Sequence, residues 1–236
     1  MIGIKRKKYE GFSLVEMLIT IAIMGTVMII SSTVLSTLIR VSTVASNKIR
    51  ARNESEFVLE LLRRTIRNSD PSDVYVFKSN EPGVVTDGRS YDPENDIIVG
   101  EVDEEDVYTN GLPEGQVGNE IQFRPYGFTN WLCLGFFKDM DDPDKGYIIW
   151  TSGYDLRDNH ESCFAPDNPS SYLMLLNSDY INITDFGISY MVSADGNYIL
   201  TFDIFSEPMN WYLGPNAVMD REVHRRGVVS TEGVVW

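Results

Sequence analysis

Glu16 is the only charged residue between Phe12 and Ile39, a run otherwise made of Leu, Val, Ile, Met and small residues. A carboxylate near the centre of a membrane helix costs about 2.5–3.5 kcal/mol, and such groups pair with a cation and mark function. The other groups that could do chemistry are more ordinary. Asp139, Asp141, Asp142 and Asp144 place four carboxylates within six residues. Calcium takes several oxygens from a tight loop, but Pro143 stands where another ligand belongs and no Glu closes the pattern. The segment therefore reads as a solvated acidic turn, with a calcium site as the lesser alternative. Asp103 to Asp106 form a second acidic run, read as a loop. His160 stands near Cys163 in the sequence, which does not define a nucleophile–base pair. His224, among Arg221, Arg225 and Arg226, reads as part of a solvated basic edge. No nucleotide-binding glycine motif, zinc-ligand spacing or nucleophile elbow occurs. The chain is expected to be non-enzymatic, with no catalytic residue, resident metal or cofactor.

The elements around Glu16 set the topology. Lys5, Arg6, Lys7 and Lys8 precede the apolar run, and basic residues hold the start of a membrane helix on the cytoplasmic side. The run exceeds the ~20 residues that span a bilayer core and the ~7–15 residues of a signal-peptide apolar region. Residues 12–40 thus read as a transmembrane half-helix in a bacterial cell membrane, with the rest of the chain outside. Cys133 and Cys163 would then lie where disulfides persist, and one bond between them would stabilise the head by about 3–4 kcal/mol. The net charge is −15, and without residues 1–11, which contribute +3, it is −18. Such a head repels nucleic acid, so none is expected as a partner.

The helical pattern continues past the membrane. No Pro or Gly occurs from Val41 to Arg67. Val41, Val44, Ala45, Ile49, Val58, Leu61, Leu62 and Ile66, with Phe57 beside them, recur at helical spacing and predict a stripe packed on the head over residues 41–69. Asn68-Ser69-Asp70-Pro71 ends the helix. Residues 70–236 read as a β-rich head. Strand candidates are Asp73–Phe77, Ile97–Val99, Glu120–Phe123, Trp131–Phe137 and Tyr147–Thr151. A hairpin is predicted with Phe186, Ile188, Tyr190 and Val192 alternating before an Asp195-Gly196 turn, and Tyr198, Leu200, Phe202 and Ile204 after it. The fold class is α+β.

The string Lys5-Arg6-Lys7-Lys8, Gly11, Phe12-Ser13-Leu14-Val15-Glu16 and the apolar helix closely resembles the leader of type IV prepilins and type II secretion pseudopilins. That resemblance implies cleavage by prepilin peptidase between Gly11 and Phe12, removing residues 1–11, and N-methylation of Phe12. In apolar surroundings the new α-amine and Glu16 each need a partner. About one helical turn apart, they are within reach of each other in one subunit, or the amine of one subunit meets Glu16 of its neighbour. The expectation is that Glu16 sets the register of assembly in this second way. The resemblance also implies a long helix packed on a mainly antiparallel sheet. The implied partners are other pilin or pseudopilin subunits, prepilin peptidase, the inner-membrane assembly platform and membrane lipid. The Leu61–Arg67 and Val218–Val229 segments resemble larger minor subunits of the J or W type, and 225 residues after the cut is large for a major subunit. The expected function is a structural subunit of a type IV pilus, competence pilus or type II secretion pseudopilus. The alternative is a filament-tip adhesin or substrate-binding module on the same anchor.

Overall fold

A computed structural model describes residues 13–78, 89–99, 111–153, 173–209 and 222–231. The basic cluster Lys5, Arg6, Lys7 and Lys8, the expected cut site Gly11–Phe12, the run 103–106, His160 and Cys163 fall outside them. One helix, α1 (Leu14–Ile66), precedes ten strands: β1 (Ser69–Phe77), β2 (Ser90–Asp92), β3 (Ile97–Val99), β4 (Glu120–Pro125), β5 (Trp131–Asp139), β6 (Gly146–Gly153), β7 (Met174–Leu175), β8 (Ile181–Val192), β9 (Tyr198–Pro208) and β10 (Val223–Ser230). The long N-terminal helix and the sheets it packs against make an α+β, pilin-like fold.

The chain divides into two compact units, Met1–Ser46 and Asn47–Trp236. In the first, α1 is exposed from Leu14 to Thr43, and it is long and apolar enough to cross a bilayer. Its threonines satisfy themselves: the hydroxyls of Thr20, Thr26, Thr33, Thr37 and Thr43 each donate to a carbonyl three or four residues back. That internal bonding lowers the cost of placing these threonine hydroxyls in lipid.

In the second unit α1 packs on sheet. Its buried residues are Ala51, Ser55, Val58, Leu59, Leu62 and Ile66. This stripe differs from the expected one, because Ile49 and Phe57 are 58% and 60% exposed. Small residues decide the contact. Ser55 Oγ lies 3.0 Å from Ser206 Oγ in a buried pair. A Cβ on Gly227 of β10 would stand 2.6 Å from Leu59 Cδ2, so only glycine lets helix and strand come this close. Glu54 fastens the other side, accepting the Ser178 backbone N–H at 3.1 Å and its hydroxyl at 2.8 Å. Arg50 pairs with Glu54 and lies over the Tyr180 ring.

The larger sheet has seven strands in the order β1-β4-β5-β2-β3, with β6 also on β5 and β7 on β6. Its pairs are antiparallel except β2–β5. β1 is an edge strand with a register shift between Ser69 and Val74, which accommodates Pro71. The second sheet is antiparallel, in the order β10-β9-β8. Its hairpin turns at Gly196, with φ +82°, as the Asp195-Gly196 signal predicts. Asn177 and Asn182 join the sheets: their side chains bond the Gly146 and Ile148 amides of β6 and, through Asn177, the Ile181 carbonyl of β8.

One core unites the α1 stripe, the inner face of the larger sheet and β8, β9 and β10. A second, more aromatic cluster lies on the other face of β5, around Tyr91, Trp131, Cys133, Phe137 and Tyr147. Beside it Arg89 and Glu120 form a buried ion pair. Leu59→Ala is expected to destabilise the chain by about 2–5 kcal/mol through a cavity and Gly227→Ala by about 1–3 kcal/mol through overpacking. Together they should cost less than the sum, because the shortened side chain makes room for the added methyl. Denaturant unfolding of the full chain in detergent, followed by tryptophan fluorescence, checks this.

Candidate functional site

The start of α1 is built by two side chains. Ser13 lies just outside the helix, and its carbonyl accepts the first intrahelical bond, from the Met17 N–H at 3.2 Å. Its Oγ accepts the Val15 N–H at 3.3 Å, and Glu16 Oε2 reaches back to accept the Ser13 N–H at 3.0 Å. Two amides that the helix itself cannot satisfy are thereby bonded reciprocally, which is the capping-box arrangement. A carboxylate in the first turn is also favoured by the positive end of the helix dipole. The Ser13-Leu14-Val15-Glu16 spacing carries this signal, yet reading Glu16 only as a charge in an apolar run misses Ser13.

No cation among the described residues pairs with Glu16. The carboxylate is fixed in position by a neutral amide, and its charge stays uncompensated. This arrangement holds an anion ready at a helix start for a positive group arriving from outside the described residues.

The remaining candidates do not converge on it. Cys133 is fully buried and holds no free thiol; the bond to Cys163 stays a proposal, since Cys163 is not described. The acidic turn between β5 and β6 is organised by Asp139 itself. Its Oδ1 accepts the Asp141 and Asp142 amides at 2.9 and 3.2 Å, and its Oδ2 accepts the Tyr147 hydroxyl at 3.0 Å. Burial raises the Tyr147 phenol above its ordinary value, so it remains a donor. A carboxylate engaged by three donors is a turn-former, and no group of three metal-ligating side chains occurs among the described residues. His224 is more engaged than a solvated edge suggests: its Nε2 lies 2.6 Å from Asp203 Oδ1 and its ring stacks on Phe205. Trp131 and Trp150 belong to the packing, Trp131 in the aromatic cluster and Trp150 edge-on to Phe123.

Residues 6–32 match the family model of the prokaryotic N-terminal methylation motif, a type IV prepilin-like signal. Neither a curated protein nor a solved structure matches the chain. The motif brings with it, in general terms, processing by prepilin peptidase, association with other pilin-type subunits and anchoring by an N-terminal apolar helix, all for a structural class of protein. It spans Arg6, Lys7 and Lys8 of the basic cluster, the Gly11–Phe12 junction, the Ser13–Glu16 cap and the first turns of α1.

The cap and the charge of Glu16 are separable. Glu16→Gln should keep the Ser13 amide bonded, because a glutamine oxygen accepts as well, while Glu16→Ala and Ser13→Ala should each cost about 0.5–2 kcal/mol of local helix stability. Hydrogen exchange at the Ser13 and Val15 amides should be unchanged in the first variant. It should be faster at Ser13 in the second and at Val15 in the third.

Proposed function

We propose that this chain is a minor pilin or pseudopilin: cut between Gly11 and Phe12, methylated on the Phe12 amine, and built by helix packing into a type IV pilus, competence pilus or type II secretion pseudopilus. The observation that carries the reading is the prepilin-type motif over residues 6–32 running directly into a helix whose one apolar-region charge is presented at its first turn. Cleavage at Gly11 removes the four basic residues and leaves an ammonium four residues before Glu16. Within one subunit the Glu16 carboxylate is already engaged by Ser13. An ammonium from a neighbouring subunit then supplies the missing positive charge, and a pair of that kind fixes the offset between two copies. The exposed apolar face of α1 supplies the packing surface, and nothing stands within 4 Å of a Cβ placed on Gly25, so a neighbouring helix can approach there. The head, on the far side of the membrane from the basic leader, is extracytoplasmic, and in the assembled state it faces the outside of a filament. Size favours a minor subunit of the J or W kind. In that compartment Cys133 bonds to Cys163.

Mass spectrometry of the protein from its native membrane tests the processing: the first peptide is expected to begin at Phe12 and to carry one added methyl group. A native N-terminus at Met1, or one beyond Ala45, overturns the reading. Assembly is tested on the same Glu16 variants. Both Glu16→Gln and Glu16→Ala should be cleaved normally yet be absent from sheared filaments, and incorporation of the glutamine form would show that the cap, and not the charge, is what assembly requires.

A further inference from the structure

The groove between α1 and β10 holds groups that processing and helix packing leave unused. Lys48, Ile49 and Arg52 of α1, with Glu222, Val223 and His224, line an open pocket of about 280 Å³. All six lie in the second compact unit. His224 and Arg226 share Asp203, with Arg226 Nε and Nη2 at 2.8 and 3.0 Å from its two oxygens. Burial pushes the Asp203 carboxyl up, but the bonds from Arg226 and His224 outweigh it and hold the group below its usual range. Asp203 is thus satisfied by β10. Glu222, the one carboxylate lining the groove, accepts the Thr184 hydroxyl. Lys48 and Arg52 have no ion-pair partner among the described residues, and between them Ile49 is 58% exposed. Two cations against one carboxylate, flanking an exposed isoleucine on a chain of net charge −15, leave a seat for an anionic segment with an apolar tip.

The same chain carries such a segment. In the β5–β6 turn Met140 is 54% exposed, and Asp141, Asp142 and Asp144 around it are exposed. The bonds that Asp139 accepts from the Asp141 and Asp142 amides hold the turn in shape, so little freedom is lost when it docks. We propose that the α1–β10 groove receives the Asp139–Asp144 turn of a second copy, with Met140 against Ile49 and Val223 and with Asp141 and Asp142 facing Lys48 and Arg52. A groove that takes a different patch of the next copy makes a heterologous contact, which propagates as a helical array unless its rotation closes a ring. It gives the heads a register of their own, separate from that of the apolar helices. The contact involves only the second unit and does not require cleavage at Gly11.

Two full-length copies with different affinity tags, co-expressed in one membrane, are treated with a carbodiimide, which joins a lysine amine to a carboxylate in contact. The expected product carries both tags, with Lys48 joined to Asp141 or Asp142. Arg52→Glu in both copies should lower its yield about tenfold, as expected for loss of close charge pairs. Adding Asp141→Arg to those copies should restore it, read through the Lys48–Asp142 link. A Lys48 link confined to one copy, a link to another protein, a yield indifferent to Arg52→Glu, or no recovery in the reciprocal variant overturns the proposal. The N-terminal mass is read from the same sample. A processed N-terminus without the link overturns the docking and leaves the proposed function standing, whereas the link with an unprocessed N-terminus does the reverse.

Discussion

An anion held at the start of an apolar helix, with no cation beside it among the described residues, is the constraint on which the first half of α1 depends. In water the charge of Glu16 would be unremarkable. In a segment whose threonine hydroxyls bond back to their own helix, it is the one charged group. The amide of Ser13 fixes where the carboxylate sits but does not neutralise it. The described residues supply no positive charge to pair with it, and the prepilin-type signal that contains it begins upstream, at Arg6.

The second half of α1 answers a different demand. A helix laid on a strongly twisted sheet must either keep its distance or give up side-chain volume at the crossing. Here volume is given up on both sides: Ala51 and Ser55 on the helix, Ser206 and Gly227 on the strands. The larger residues of the stripe, Val58, Leu59, Leu62 and Ile66, then reach into a core shared by both sheets. Glu54 and Arg50 bind the helix to the Ser178–Tyr180 segment at the rim. The apolar residues left over, Ile49 and Phe57, face outward because the small residues, not the large ones, choose the buried side.

Charge follows the same division of labour. The head is strongly acidic, yet its described acids are mostly engaged: Asp139 in a turn, Glu120 with Arg89, Asp73 with Arg124, Asp203 with Arg226 and the His224 ring. Among the described charges without an ion-pair partner are Lys48 and Arg52 beside the α1–β10 groove and the aspartates at the tip of the acidic turn.

The sequence by itself determined the elements. The absence of proline and the run of apolar residues define the long helix, the Ser-x-x-Glu spacing its start, and strict alternation with Asp195-Gly196 the β8–β9 hairpin, because these signals are local and depend on near neighbours only. The prepilin-type motif is equally local, which is why the match over residues 6–32 is legible without a fold. Only the tertiary structure decided which helix face is buried, since Ser55 and Ala51 carry no hydrophobic signal and matter only where Ser206 and Gly227 come opposite. β2, β7 and β10 escaped pattern reading: two are two or three residues long, and β10, an edge strand reading Val-His-Arg-Arg-Gly-Val-Val-Ser, has no apolar–polar alternation. Lys48 and Arg52 stand one turn apart on α1, as their spacing shows, but His224 lies far along the chain and no spacing rule brings it to them; it takes the closeness of helix and strand at Gly227 to make them one surface.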